Sequence, residues 1–359
     1  MRAKDCTLPG AGWQIVINAS DKVLPEDVEE EVSALVPGIA YLTELNLEGK
    51  RTIQALKLLQ STAKEIAKHA HGVVVDPQSD RVTTPAGVTR FIPPKKEKTF
   101  SIVTMSWWFL NGVMLKSAGR RSFLSLLKRL LPEALPKRYG AYEPPQYLFA
   151  KTGMNHLERF MARHLDDAMA WYPNRPVTGV RVSCPRPLGG GEDGFRTHLV
   201  EVEVESAVLA QPGWAEHLRL FWRQMTFLLR PIYGDVRTEG GYSYSGGTVY
   251  QDIKVALQEQ YPFTTRSWFW RGAPRKLGHA VVLGKEYLRL WPGFVRKATM
   301  ENGFAFASAS TWSDKTDLSK IIGPAPKAIT LLPGEGTGPK QKYPPVWPFG
   351  EPFEEGRAG

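Results

Sequence analysis

Hydrophobic positions recur along this chain with two periods. A period of two marks a half-buried strand, and apolar residues at i, i+3, i+4 and i+7 mark an amphipathic helix. Trp13–Asn18 (WQIVIN) is short and β-branched and predicts a strand. Leu24-Pro25 opens an acidic helix, in which Pro25 suits the first turn and Glu26, Asp27, Glu29 and Glu30 suit the helix dipole. That helix stops near Pro37-Gly38, and alternation over Tyr41–Leu47 predicts another strand. Arg51–Ala70 is the clearest early helix, with Ile53, Leu56, Leu59, Ala63, Ile66, Ala67 and Ala70 along one face and Gly72 ending it. Val73–Val75 then starts a strand that runs into a turn, Asp76-Pro77-Gln78.

Farther along, Phe100–Trp108 (FSIVTMSWW) predicts a central strand. Arg120–Leu131 predicts a basic amphipathic helix that buries Phe123, Leu126, Leu127 and Leu130. Leu131–Pro145 holds four prolines and one glycine, which argue against regular structure over most of it. Asn155–Ala170 predicts a second helix with Leu157, Phe160, Met161, Leu165 and Ala168 inward. Val177–Ser183 and His198–Glu205 predict strands. In the latter, Val202 and Val204 share one face and Glu201, Glu203 and Glu205 the other, so one face is expected buried and the other wet. Between them, Gly189–Gly194 lacks the Lys-Ser/Thr of a phosphate cradle and carries Glu192 and Asp193, so it predicts a hairpin loop. Gly213–Leu229 predicts a helix closed by Pro231, and Ala280–Leu283 and Gly303–Ser308 predict strands. After Thr330 the chain is rich in Pro and Gly and predicts an irregular tail, which Trp347 and Phe349 could pin to the body.

These elements predict an α+β fold: two modules of mostly antiparallel sheet with helices packed on one face, then the tail. The expected segments are 1–150, 151–329 and 330–359. The helix ending at Ala70-His71-Gly72 before Val73 parallels the one ending at Pro231-Ile232-Tyr233-Gly234 before Val236, which hints at related modules without an internal repeat to prove it.

With 42% apolar and 11% aromatic residues, the chain can bury a large core and is not disordered by composition. Its formal charge of +10 favours acidic partners in general. The basic residues cluster loosely, at Lys95-Lys96 with Lys98, Arg120-Arg121 with Lys128-Arg129, and Arg271 with Arg275-Lys276. Nucleic acid is therefore retained as a partner but not favoured. Cys6 and Cys184 form neither a disulfide framework nor a metal-ligand spacing, and fit a reducing compartment. The N-terminus lacks the apolar run of a signal peptide and no stretch is long enough to cross a bilayer, so a cytoplasmic location with no membrane partner is expected.

Candidate chemistry is sparse. Asp76-Pro77-Gln78 follows a strand, where catalytic groups often sit, yet Asp-Pro also opens ordinary turns. His69 and His71 flank a helix end but do not share a face, and no third ligand accompanies them, so no metal is expected. Glu158, His164, Asp166 and Asp167 read as a solvated helix face, with His164 and Asp167 spaced to pair. Arg138, Tyr139, Tyr142 and Glu143 sit in the proline-rich elbow, a rigid loop that either presents side chains to a partner or covers the core. Gly240–Gly247 (GGYSYSGG) has the composition of adaptable binding loops, though a plain loop fits as well. No nucleophile elbow, zinc-protease motif, paired-cysteine motif or cofactor signature occurs.

Arg266–Phe294 sets Trp268, Trp270, Tyr287 and Trp291, with glycines and prolines, around the apolar run Ala280–Leu283. Together with Tyr233-Gly234, the turns Trp270-Arg271-Gly272, Leu277-Gly278 and Gly284-Lys285-Glu286-Tyr287 resemble the second half of bacterial immunity proteins of the immunity protein 52 type. Such proteins neutralise toxins of polymorphic or type VI secretion systems. The resemblance covers roughly residues 178–312. It implies a catalytically inert α+β protein that binds and blocks a cognate toxin, and it carries over no catalytic residue. The basic charge departs from the acidic surface that nuclease inhibitors usually present, so a nuclease target is not implied.

The leading expectation is a non-catalytic protein-binding factor whose partner is a cognate toxin or another protein. Its partner-binding residues are expected to be Arg138, Tyr142, Tyr242, Tyr244, Arg271, Arg275 and Lys276, with no catalytic residue, metal or cofactor. Two alternatives stay open. One is an enzyme with Asp76, Gln78, Arg138 and Glu143 at a site between the modules; the other is a nucleic-acid-binding protein driven by charge.

Overall fold

The computed structural model describes residues 6–18, 20–23, 28, 30–36, 38–76, 81–84, 86, 89–91, 99–142, 145–166, 169–191, 194–245, 248–251, 269–274, 276–310, 312, 318–330 and 346–349. The chain falls into two units, one of residues 1–98 with 243–250 and the other of 99–242 with 251–359. Residue 150, the expected boundary, lies in a helix of the second unit.

The first unit carries strands β1 (Cys6–Gly10), β2 (Trp13–Ile17), β3 (Asp21–Lys22), β4 (Tyr41–Leu42), β5 (Leu45–Gly49), β6 (Val74–Asp76), β7 (Arg81–Thr83) and β8 (Thr89–Phe91). Its helices are α1 (Glu30–Leu35) and α2 (Ile53–His69). Antiparallel pairing gives the sheets β1-β2-β5 and β6-β7-β8 and the pair β3-β4. The predicted strand Tyr41–Leu47 is therefore two strands with different partners. The acidic first turn expected from Pro25 to Glu29 and the turn residues Pro77 and Gln78 lie outside the described residues. α2 starts where the Thr52 hydroxyl accepts the Ala55 amide at 3.1 Å. Its buried positions are Ala55 and Ala67, while Ile53 is 76% and Leu56 43% exposed. Of the expected stripe, Ala67 is buried and Leu59, Ala63 and Ile66 are half-buried, whereas Leu56, Ile53 and Ala70 are exposed, and Ala55 is buried in addition.

The second unit opens with β9 (Phe100–Phe109), α3 (Ser117–Leu130), β10 (Arg138–Gly140), β11 (Tyr147–Leu148), α4 (Phe149–His164) and β12 (Ala170–Tyr172). There follow β13 (Val177–Ser183), β14 (Gly189–Gly191), β15 (Gly194–Arg196), β16 (His198–Glu205), α5 (Trp214–Leu229) and β17 (Tyr233–Ser245), which from Ser243 belongs to the first unit, as does β18 (Thr248–Gln251) up to Tyr250. The last elements are β19 (Phe269–Trp270), β20 (Ala280–Leu283), α6 (Lys285–Leu288), α7 (Pro292–Val295), β21 (Thr299–Glu301), β22 (Phe304–Ser308) and α8 (Ser319–Ile322). An eight-stranded sheet runs β13-β16-β9-β17-β20-β22-β21, with β18 paired to β17. The pairings along that order are antiparallel, and the class is α+β as the pattern predicts.

Alternation along the strands builds two cores. On one face, Met105, Trp107, Val202 and Val236 meet Phe123 and Leu127 of α3, Leu157 and Met161 of α4, and Phe221 and Met225 of α5. On the other, Trp108, Leu199, Tyr233 and Val281 meet Trp270, Tyr287, Trp291 and Phe294. Trp270 lies 5.3 Å from Trp108 and 4.9 Å from Tyr233 between ring centroids, and its Nε1–H donates to the Tyr287 hydroxyl at 2.7 Å. The tryptophans of the segment that resembles immunity proteins are therefore packing anchors, for those that are described. Trp347 joins the same core and Phe349 sits 4.0 Å from Phe195, so both pin the tail.

Several local expectations are corrected. Leu131–Pro145 is not irregular throughout: Pro132–Ala134 forms a 3-10 turn, and β10 pairs with β11 and β12. Its prolines bracket a proline-free run, Lys137–Glu143, whose amides remain free to pair. Gly240–Ser245 is strand rather than loop; the register against β9 shifts between Glu239 and Tyr242, and Gly241 takes φ +79° at that bulge. Ala170 begins β12 instead of ending a helix, and α4 stops at His164. The glutamate face of β16 is only partly wet: Glu203 and Glu205 are half-buried, whereas Glu201 is buried and accepts the Ser106 hydroxyl at 2.9 Å.

Glu158 is likewise no solvated residue. It is buried between α3 and α4, where Arg120 reaches its Oε1 through Nε at 2.8 Å and Nη2 at 2.7 Å. Arg120 also donates to the carbonyls of Met114 and Leu115 at 3.1 and 2.8 Å, so its guanidinium closes the turn before α3. Removing one partner of a buried pair strands the other charge. Glu158→Ala should therefore lower stability by about 3–5 kcal/mol, read from urea unfolding followed by tryptophan fluorescence. A loss within the ordinary surface range of about 0.5 kcal/mol would show that the pair is not sealed from water.

Candidate functional site

The elbow between α3 and α4 holds the most exposed of the expected partner-binding aromatics. β10 and β11 form a short hairpin in which Tyr139 opposes Tyr147 and Arg138 opposes Leu148. Gln146 clamps its turn. The amide of Ala141 donates to Gln146 Oε1 at 3.0 Å, and Gln146 Nε2 donates to the Tyr142 carbonyl at 2.7 Å. Gly140 is required there, since a Cβ at that position would lie 2.3 Å from Gln146 Oε1. Pro145 is buried beneath the turn. Tyr142 is left 67% exposed on a turn whose backbone is held at both sides.

Below it, an aromatic stack supports the hairpin. Tyr147, 36% exposed, lies 4.8 Å from His156 and 5.5 Å from both Tyr139 and Phe160. The buried Tyr139 hydroxyl sits 2.6 Å from His156 Nδ1 and 2.8 Å from Thr152 Oγ1. Thr152 in turn donates to the Leu148 carbonyl at 3.1 Å. The arrangement in which every contact carries a proton runs from His156 Nδ1–H to Tyr139, to Thr152, to that carbonyl. Burial raises the Tyr139 phenol above its usual range, so the hydroxyl stays protonated and keeps the chain intact.

The other expected partner-binding residues are dispersed. Arg138 is half-buried at the start of β10. Tyr242 is buried, its ring 6.3 Å from Phe100 and its hydroxyl donating to Glu239 at 3.0 Å. Tyr244 is half-buried and belongs to the first unit. Arg271 is half-buried and Lys276 exposed in the turn that follows β19, while Arg275 lies outside the described residues. Of the four residues of the enzyme alternative, Asp76 is in the first unit and Arg138 in the second, and Gln78 and Glu143 lie outside the described residues.

Two buried polar groupings were not singled out from the sequence. Arg237 lies 3.1 Å from Asp235 Oδ1, 3.1 Å from Glu239 Oε1 and 3.9 Å from Glu201. Burial alone weakens its hold on the proton, but Asp235 and Glu201 outweigh burial and raise its pKa further. The signal was legible: Asp235, Arg237 and Glu239 alternate along one strand and must share a face. The second grouping is Cys184 and His198, each one residue past the pair Ser183–Leu199. Burial pushes the Cys184 thiol up to about 12, aided by Asp166. Burial pulls His198 down to about 4, aided by Arg186. A neutral thiol beside a neutral imidazole is the reverse of an activated thiolate pair, so this site is built for packing. Among the described residues no group of His, Cys, Asp and Glu has the geometry to hold a metal ion, and no helix is long and apolar enough to cross a membrane.

These features define an α+β protein with buried ion pairs at Arg120–Glu158 and around Arg237. No family model matches the chain, and no curated protein matches it. Among solved structures it is similar to a Pseudomonas aeruginosa T6SS protein, with a TM-score of 0.40 and 11% identity over 59% of this chain and 69% of that one.

The His198 environment has a consequence for acid stability. Its folded pKa of about 4 lies below the ordinary 6.5, so the unfolded chain takes up this proton first as pH falls. Stability from this group is complete above pH 6.5 and is lost progressively towards pH 4. Urea midpoints measured across that window should fall less in His198→Leu than in the parent. Equal slopes in both proteins would mean that His198 does not stay neutral in the fold.

Proposed function

We propose that this chain is a non-catalytic protein-binding factor that neutralises a cognate bacterial toxin. The observation that carries the reading is the clamped turn that holds Tyr142 outward. An exposed tyrosine on a flexible loop loses side-chain and loop entropy on binding, whereas one on a pre-ordered turn loses less. Tyrosine is also among the residues that dominate binding energy at protein interfaces. Tyr142 is 67% exposed and, among the described residues, belongs to neither hydrophobic core. The toxin as partner rests on the resemblance to immunity proteins across residues 178–312, which lie outside the Tyr142 hairpin but mostly in the same unit.

The test is site-specific cross-linking in the native host. A photoreactive benzoylphenylalanine replaces Tyr142 in one protein and the comparably exposed Tyr41 in another. Position 142 should capture one protein that position 41 does not, and co-expression with this chain should relieve growth arrest caused by the captured protein. Gln146→Ala, added to the position 142 protein, should reduce capture several-fold by releasing the turn. Equal capture at both positions, or a captured protein that is harmless to cells, would overturn the reading.

A further inference from the structure

Net positive charge is concentrated in two stretches of the chain, residues 116–164 and 266–297, and the first lies on two packed helices. Residues 116–164 contain ten lysines and arginines against three acids, and so hold a net +7 in less than a seventh of the chain. The fold then separates the two signs. Of the three acids, Glu158 is consumed inside by Arg120, Glu133 is only half exposed, and Glu143 lies outside the described residues. Lys116, Arg121, Lys128 and Arg129 of the α3 segment, Lys137 beside β10, and Lys151, Arg159 and Arg163 of α4 are all exposed. α3 and α4 pack side by side, with their apolar faces in the helical core, so these cations lie on outer faces of neighbouring helices.

Elsewhere in the unit four exposed arginines are answered by acids, while Arg230, Lys285, Arg289, Arg296, Lys297, Lys320 and Lys327 are exposed without an acidic partner among the described residues. Arg175 pairs with Glu205, Arg181 with Glu201, Arg186 with Asp166, and Arg223 with Glu301. None of the eight cations of the α3 and α4 face has an acidic partner among the described residues. Like charges held together repel one another and destabilise the folded state, and the repulsion is relieved when a surface of opposite sign docks. The Tyr142 hairpin borders this face, since β11 leads directly into α4.

We infer that the outer face of α3 and α4 is a docking surface for an acidic protein, with Tyr142 as the aromatic anchor at its edge. A protein is favoured over nucleic acid because the cations border an exposed, clamped tyrosine, a residue type that dominates binding energy at protein interfaces. The inference rests on the protein-binding reading and deepens it. Failure of the cross-link at Tyr142 speaks against that reading, whereas the charge variants below fail only if this face is not the docking surface.

The probe is a fluorescent polyglutamate peptide of about 20 residues, followed by anisotropy at low salt, where surface charges are least screened. Arg121→Glu/Lys128→Glu/Arg129→Glu should weaken binding at least about tenfold, and Arg159→Glu/Arg163→Glu on the neighbouring helix should weaken it in the same direction. Lys57→Glu/Lys64→Glu/Lys68→Glu on the exposed face of α2 makes the same change in net charge as the first variant and should leave binding within about twofold. Equal weakening by the α2 variant would reduce the effect to net charge and overturn the proposal. Tighter binding of duplex DNA, or of phosphatidylglycerol vesicles, than of polyglutamate, with the same dependence on α3 and α4, would overturn it in favour of nucleic acid or membrane. Circular dichroism establishes that each variant is folded.

Discussion

The second unit depends on one strand being covered on both sides. β9 places Trp107 and Trp108 in succession, and a strand must send adjacent side chains to opposite faces. Both rings are fully buried, so the sheet needs a complete layer above and another below. Trp107 meets Phe221 edge to face at 6.1 Å and donates to Thr226 at 3.1 Å, which sets α5 on one side. Trp108 meets Trp270 and Tyr233, which draws the segment after β19 onto the other. A strand of this kind can only be central. It pairs with β16 and β17, and the helices and the C-terminal segment are arranged around it.

Charge follows from that architecture. Where the sheet is covered, carboxylates and guanidinium groups are bonded to one another, as in Arg237 with Asp235 and Glu239, or Arg120 with Glu158. An unpaired charge in those positions would be far more costly than the pair. Glu158 is the single acid on α4 and it is spent inside, so the outer helix faces are left with cations alone. The internal pair and the external basic face are thus two results of one placement. The clamped Tyr142 turn stands at the border between them.

Much of the fold was legible. β9, β13, β16, β20, α3 and α5 lie close to where periodicity predicts them, because each is strongly patterned and sits in a large core. The hairpin at Gly189–Arg196 was legible from its glycines and acids. The exposure of Ile53 and Leu56 at the start of α2 and the burial of Ala55 beside them were not, since hydrophobicity alone cannot say which residue of a helix end meets the sheet. The strand character of Gly240–Ser245 was hidden because glycine and serine carry little strand preference, and pairing to β9 and to β18, with a bulge at Gly241, stabilises it. Of the candidate site, the elbow's two readings each describe one residue, since Tyr142 is exposed and Tyr139 buried, while the burial of Tyr242 depended on Phe100 and Glu239, neither of which its own neighbours in sequence identify.

By itself, the sequence determined the class, the central strand, the helical core faces and the concentration of basic residues between 116 and 164, because these depend on local period and composition. Tertiary structure alone decided which charges are inside. Arg120 and Arg121 are adjacent and chemically identical, yet the first is buried on Glu158, 38 residues away, and the second faces solvent. Burial and pairing are long-range properties, set by which helix packs against which, and no local pattern carries them.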